Sequence, residues 1–321
     1  MPTRRSLLLA PPALALAAPG IAQTRAPTRL VVPFPAGGAT DAVARIYQPA
    51  LAAQLGGNVV IENRPGAGGV PAAEVVARAA PDGQTLLLTT SSTHSTGPAV
   101  NPAGVPYDPD RDFTPLAFLG AAPSLVLVSA TVPVTDLRGF IAWARARRGQ
   151  VNYGSAGVGG SPHLTAALMD SLADLGMIHV PYRGTGAVYA EMRRGDVHLL
   201  LDVPSTAAPH LQSGVVKAVA ITSEQESPVA PGVPTAIAAG LPGLVSETWF
   251  GVYGPSRLPA DLAQRLAQAG IAAAQDAEFR ARMLALGIEA RPGDGATLTR
   301  VAAEERERWR ALVQRLNIRV E

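Results

Sequence analysis

The chain has 321 residues, 47% of them hydrophobic and 16% charged, enough to fold without help around one large core or the cores of two lobes. The absence of cysteine excludes structural disulfides, thiolate metal sites and a lipid anchor on an N-terminal cysteine. Of 27 Lys and Arg against 25 Asp and Glu, Arg4 and Arg5 fall in an export signal, so 25 face 25 in the rest and nothing argues for a nucleic-acid partner.

Residues 1–23 read as that signal: Arg4 and Arg5, an apolar stretch over 7–18, then small residues before a cleavage point around Ala22 or Gln23. The stretch is shorter than the roughly 20 residues a spanning helix needs and holds Pro11, Pro12 and Pro19. Paired arginines ahead of an apolar run fit both twin-arginine and general secretory export.

From residue 29 strands and helices alternate. "RLVVPF" predicts a strand; Val43, Tyr47, Leu51 and Leu55 at four-residue spacing predict a helix closed by Gly56 and Gly57, with Pro49 anomalous inside it. "NVVIENRP" is the next strand, "GAGGVPAAEVVARAA" a glycine-led helix, and "PDGQTLLLTTSS" a turn and a third strand. Further strands are "SLVLVSA", "QVNYGSAG", "IHVPY", "VHLLLDV", "VVKAVAITS" and "TWFGVYGP". Helices are expected over 135–148, 161–175, 187–194, 259–274, 276–286 and 297–314. Such βα units predict an α/β fold of mostly parallel sheets flanked by helices. No linker separates two α/β sets, so two lobes joined by crossing strands are expected: 24–125 as the first part of lobe 1, 126–248 as lobe 2, and 249–321 returning to lobe 1. Ligands then bind between the lobes, where strand ends and helix starts converge.

Two strand-to-helix loops carry the chemistry. In "VPFPAGGATD", residues 32–41, glycines let a guest approach the backbone, and the N–H groups at the following helix start lack helical partners. This makes an anion seat of Phe34, Ala36, Gly37, Gly38, Ala39 and Thr40, or else a tight turn with a helix cap. Asp41 reads as an N-cap or internal acceptor, since a carboxylate repels a nearby anion. "YGSAGVGGSPH", residues 153–163, repeats the device with Ser155, Ala156, Gly157, Gly159, Gly160 and Ser161, and His163, at the opening of the next helix, either shapes the site or has a structural or surface role. One such loop per lobe suggests a clamp closing on a small anion.

Enzyme motifs fail on the same residues. Position 153 is Tyr where a nucleophile elbow needs Gly, no glycine loop is followed by GK[ST], and neither "GAGGVP" nor "GVGGSP" completes the dinucleotide fingerprint. His94, His163, His179, His198 and His210 include no pair at metal-ligand spacing.

The stretches "VPFPAGGATD", "VVIENRPGAGG", "PDGQTLL", "VPYDPDRDFTPL", "NYGSAGVGGSPHL", "HVPYRG", "LLLDV", "PHLQSGVVKAVAITS", "VPT", "GVYGP" and "ERERWRALV" stand in an order and spacing that covers about nine-tenths of the chain. In this the chain resembles the substrate-binding proteins of tripartite tricarboxylate transporters, the Bug-type periplasmic receptors. The resemblance implies a two-lobe periplasmic-binding-protein type II fold. It further implies a carboxylate held through backbone N–H groups, hydroxyls and ordered water by the two glycine loops, with Ser91 at the site and Asp202 either accepting from a ligand hydroxyl or amine or serving in capping or internal pairing. The chain departs from the family's pattern at Gly160, where Ser is common, and at Ala167, Arg183, Ala187 and His198, so the resemblance says little about specificity.

The expected function is therefore a periplasmic solute receptor, without catalysis or cofactor, that delivers a small organic carboxylate to a membrane permease of one large and one small integral subunit. A monomer is expected. Di- and tricarboxylates, amino acids and aromatic acids all suit such loops. Phe34, Tyr182 and Trp249 either line the cleft or serve lobe packing. Two alternatives stand beside this reading: a ligand-loaded sensor for a signalling partner, and a secreted esterase or isomerase using Ser155 and His163.

Overall fold

The computed structural model describes residues 26–182 and 184–318; the export signal expected over 1–23, and Arg183, lie outside them. Among the described residues eleven strands form two sheets. The strands are β1 (Thr28–Val32), β2 (Val59–Asn63), β3 (Thr85–Thr90), β4 (Phe113–Pro123), β5 (Leu125–Ser129), β6 (Asn152–Ser155), β7 (Ile178–Pro181), β8 (Leu199–Asp202), β9 (Val216–Ile221), β10 (Glu247–Pro255) and β11 (Glu289–Asp294). The first sheet runs β11-β4-β10-β3-β1-β2 and the second β7-β6-β8-β5-β9.

The helices are α1 (Ala39–Leu55), α2 (Val70–Ala77), α3 (Gly97–Val100), α4 (Leu137–Arg145), α5 (Ser161–Ala173), α6 (Thr185–Arg194), α7 (Pro204–Gln212), α8 (Ala260–Gln275), α9 (Ala277–Ala285) and α10 (Gly295–Leu316). α1 forms as its spacing predicts: Val43, Tyr47 and Leu51 are buried, Gly56 ends the helix in the left-handed region at φ 61°, and the helix runs through Pro49. One face of the first sheet buries Leu30, Leu88 and Phe250 with Tyr47 of α1 and Phe279 of α9. Its other face buries Leu87, Phe118 and Trp249 with Ala73 of α2 and Leu298 of α10. The second sheet is likewise covered on both faces, by Phe140 of α4 and Leu164 of α5 on one and Val188 of α6 and Ala207 of α7 on the other.

Both sheets are mixed rather than mostly parallel. β1 pairs in parallel with β2 and β3, and β6 with β7 and β8, as βα units require. The strands bordering the crossings run the other way: β10 is antiparallel to β3 and β4, β11 to β4, and β5 to β8 and β9. Only Ser124 separates β4 from β5 where the chain passes between sheets. α10 reaches both lobes, with Leu298 and Ala302 in the first sheet's core and Trp309 and Leu312 in the second's.

β4 and β11 have weak sequence signals for a physical reason. β4 carries Pro115, Gly120 and Pro123. β11 reads "EARPGD", a turn by composition, and its register against β4 shifts between Ala290 and Gly293, so Arg291 and Pro292 sit in an irregularity where a missing N–H does no harm.

Candidate functional site

The first loop is fastened from inside by Asp41. Its Oδ2 accepts from the Gly37 amide at 2.8 Å and from Arg45 Nε at 2.7 Å, and its Oδ1 accepts from Asn63 Nδ2 at 3.0 Å. Asn63 Nδ2 also donates to the Phe34 carbonyl at 3.0 Å. Arg45 first, with the Gly37 amide and Asn63, holds the Asp41 carboxyl down to about 2 against the cost of burial. Asp41 is thus an internal acceptor, as its position suggested.

Gly37 stands at φ +83°, which suits glycine, and spends its amide on Asp41, while the Gly38 amide turns back to the Pro35 carbonyl at 3.3 Å. Neither amide is free for a guest. The first helical bond of α1 runs from Ala42 to Gly38 at 2.9 Å, so the amides of Ala39 and Thr40 at the helix start have no helical partner. The amides this loop leaves open are therefore those at the start of α1 rather than those of the two glycines.

The second loop, between β6 and α5, is held by Ser155. Its hydroxyl donates to the Gly157 carbonyl at 2.9 Å, lies 2.6 Å from His179 Nε2, and accepts from the Gly157 amide at 3.2 Å. A hydroxyl has one hydrogen and two lone pairs. With the hydrogen on Gly157, His179 Nε2–H is the donor, and the hydroxyl is saturated in a residue with no exposed surface. Ser155 thus offers neither a nucleophile nor a free donor, and the pairing of Ser155 with His163 required by an esterase is not made. His163 instead accepts the Gly159 amide on Nδ1 at 3.0 Å. At the start of α5 the first helical bond runs from Leu164 to Gly160, leaving the Ser161 amide without a helical partner.

Two cavities lie between the lobes. The smaller, of about 140 Å³, is lined by Phe34, Ala39, Thr40, Thr90, Ser92, Thr248 and Phe250 from the first lobe, with Val203 and Ser205 from the second. The larger, of about 500 Å³, is bordered by Phe34, Ser92, Thr96, Val100, Asn101 and Tyr107 on one side and by Val158, Gly159 and Gly160 on the other. Both glycine loops border the larger cavity, and no lining residue of either cavity is charged. The Thr90 hydroxyl is buried without a hydrogen-bond partner at the smaller cavity's wall.

The site residues expected from sequence fall into three groups. Phe34, Ala39, Thr40, Gly159 and Gly160 line the cavities. Ala36, Gly37, Gly38, Ala156, Gly157 and Ser161 belong to the loops without lining either cavity, and Ser155 and His163 are buried supports of the second loop. Ser91 and Asp202 line neither cavity. Ser91 is 1% exposed and lines neither cavity, whereas Ser92 lines both. Asp202 accepts from Tyr189 Oη at 3.0 Å and from the Val203 amide at 2.8 Å, and burial raises its carboxyl pKa.

Sequence reasoning missed Thr90, Ser92, Thr96, Ser205 and Thr248 as lining residues. The hydroxyl-rich run "TTSSTHST" at the end of β3 and beyond it was the available signal for the first three. Of the open aromatic positions, Phe34 lines both cavities, Tyr182 packs on the second sheet's core, and Trp249 is buried on the opposite face of β10.

A third cavity, of about 500 Å³, lies on that opposite face. Glu247 and Trp249 point to it while Thr248 and Phe250 point to the smaller cleft cavity. Its walls carry Arg291, Arg300, Arg308, Glu304 and Glu305, and it takes nothing from either glycine loop.

Residues 43–318 match the tripartite tricarboxylate transporter family receptor. The chain is 34% identical to Protein BugT of Bordetella pertussis over 243 residues, 75% of this chain and 74% of that one. Among solved structures it is similar to MatC (Rpa3494) of Rhodopseudomonas palustris with bound malate, at 36% identity and TM-score 0.73 over 89% of this chain and 98% of that one. It is also similar to R. palustris Rpa4515 with adipate, at 30% identity and TM-score 0.78, covering 91% of this chain and 98% of that one.

Proposed function

The chain belongs to the tripartite tricarboxylate transporter receptor family, and from that premise we propose that it captures one small organic carboxylate between its lobes and hands it to a permease of one large and one small integral subunit. Receptors of this family are periplasmic and bind rather than transform their solutes. In this reading residues 1–23 direct export and are then removed, and the mature receptor works as a monomer.

The observation that carries the reading is that both glycine loops border one uncharged cavity. A carboxylate seated there meets the start of α5 at Gly160 and the hydroxyls of Ser92 and Thr96, while the smaller cavity, which shares Phe34 and Ser92 with it, presents the start of α1 and the hydroxyls of Thr40 and Thr90. The malate and adipate held by the two similar R. palustris proteins support a small organic acid as the guest. Binding that touches both loops draws the lobes together by stabilising a closed state.

The test is thermal unfolding of mature protein, freed of bound solute by unfolding and refolding, against malate, adipate, citrate, aspartate and benzoate. An acid at a hundred times its Kd adds about 2.7 kcal/mol of stability, a rise of roughly a few degrees for a chain of this size. No rise with any of them, from protein shown to be refolded, removes the carboxylate reading.

A further inference from the structure

The second clamp loop is built on a pair of histidine rings that ligand capture alone does not explain. His163 of α5 and His179 of β7 stack with centroids 3.8 Å apart at an interplanar angle of 8°. Tyr153 of β6 extends the stack, 5.0 Å from His179 and 6.2 Å from His163. Each histidine holds a different point of the loop. His163 Nδ1 accepts from the Gly159 amide at 3.0 Å, and His179 Nε2 meets the Ser155 hydroxyl at 2.6 Å, which in turn holds both polar groups of Gly157. Gly157 and Gly159 stand at φ +139° and +79°, so these bonds fix a backbone whose glycines have wide freedom to leave.

We propose that His163 and His179 are positioning residues for the carboxylate clamp, and that their hold on the loop lasts only while the His163 ring is uncharged. The chemistry is one-sided. A proton on His163 Nδ1 turns the acceptor of Gly159 into a donor facing a donor, and places a cation against its stacked neighbour. The titratable groups facing His163 are His179 and Tyr153. No carboxylate bonds to either histidine ring among the described residues, and Asp170, further along α5, is spent on the Met177 amide at 2.9 Å. Nothing nearby rewards the charge. Burial and the neighbouring His179 lower His163 to about 4, and burial also lowers His179. The grip on a carboxylate is therefore full at neutral pH and is lost on acidification. That consequence rests on the capture reading above, whereas the positioning role does not.

The test is nitrogen-15 NMR of the acid-free protein from neutral pH downward, following the protection and shift of the Gly159 amide and the ring nitrogens of His163. The wild type is compared with His163→Asn, which offers a carbonyl oxygen in place of Nδ1, and His163→Phe, which keeps the stack without an acceptor. The expected result is a His163 ring with its hydrogen on Nε2 and a Gly159 amide protected in the wild type and in His163→Asn. In His163→Phe that amide exchanges about tenfold faster. Wild-type protection then disappears as His163 takes up its proton, while His163→Asn holds. Equal Gly159 exchange in wild type and His163→Phe, or His163 charging with no change at Gly159, overturns the proposal; if His163→Phe does not fold, the wild-type titration against His163→Asn still decides. Affinities for malate and adipate, taken over the same pH range, follow the Gly159 signal if the loop serves capture. If neither acid binds at neutral pH the capture reading loses support, and the NMR result still judges the histidine pair.

Discussion

Ser124 and Thr222 hold each other where the chain crosses between the two sheets: the Thr222 amide donates to the Ser124 carbonyl at 2.9 Å, and the Ser124 amide donates to the Thr222 hydroxyl oxygen at 2.9 Å. The same hydroxyl donates to the carbonyl of Ser246, the last residue before β10 returns to the first sheet. One fully buried side chain thus ties together the two segments that pass between the sheets. Thr222→Val keeps the shape and strands the Ser124 amide, which costs about 1–3 kcal/mol. Urea unfolding measures the loss, and an unchanged midpoint removes the crossing from the list of stabilising contacts.

Thr90 separates stability from binding. Its hydroxyl is buried without a partner at the wall of the smaller cavity, a cost of about 1 kcal/mol or more to the empty receptor. Thr90→Val is expected to raise the melting temperature of the acid-free protein and to weaken carboxylate affinity, two changes of opposite sign. Calorimetric titration beside thermal unfolding reads both, and unchanged affinity takes Thr90 out of the site.

Asp41 gives the first loop an acid limit. Its carboxyl falls from an ordinary 3.8 to about 2 in the folded chain, so its contribution is present above 3.8 and lost as the pH falls toward 2. Asp41→Asn is expected to cost about 1–2 kcal/mol at neutral pH, because Arg45 is half exposed and solvent screens its share. The deficit disappears at the acid end. Melting temperatures of both proteins across that range check the convergence.

Glu305 joins α10 to β10. It accepts from Trp249 Nε1 at 2.6 Å and from Trp309 Nε1 at 2.9 Å. Glu305→Gln leaves one oxygen for two indole donors and sets an amide hydrogen against the other, a loss of about 1–3 kcal/mol. Burial raises the Glu305 carboxyl, so the wild type gains most from it below the unfolded pKa and loses part of that gain as the pH rises. The deficit of Glu305→Gln is therefore largest in acid and narrows toward neutrality, which denaturant titrations at two pH values measure.

Much of this was legible in the sequence because it depends on local chemistry. The glycine loops at 32–41 and 153–163, the helix spacing of Val43, Tyr47 and Leu51, and the family resemblance each rest on residues close together in the chain. What escaped depends on contacts across it. β11 takes its strand form from pairing with β4, despite Arg291, Pro292 and Gly293 in its middle. Ser91 and Ser92 look alike in sequence, yet the turn after β3 buries one and sets the other in both cavities. Ser155 reads as an open hydroxyl until His179, 24 residues away, is found on it.

The central claim, that one acid is gripped from both lobes, is tested most directly by amide hydrogen exchange of the refolded protein with and without the acid that gives the largest thermal shift. The account predicts slowed exchange at 36–40 and at 156–161 together. Protection in one loop alone, or in neither while the acid is bound, contradicts it.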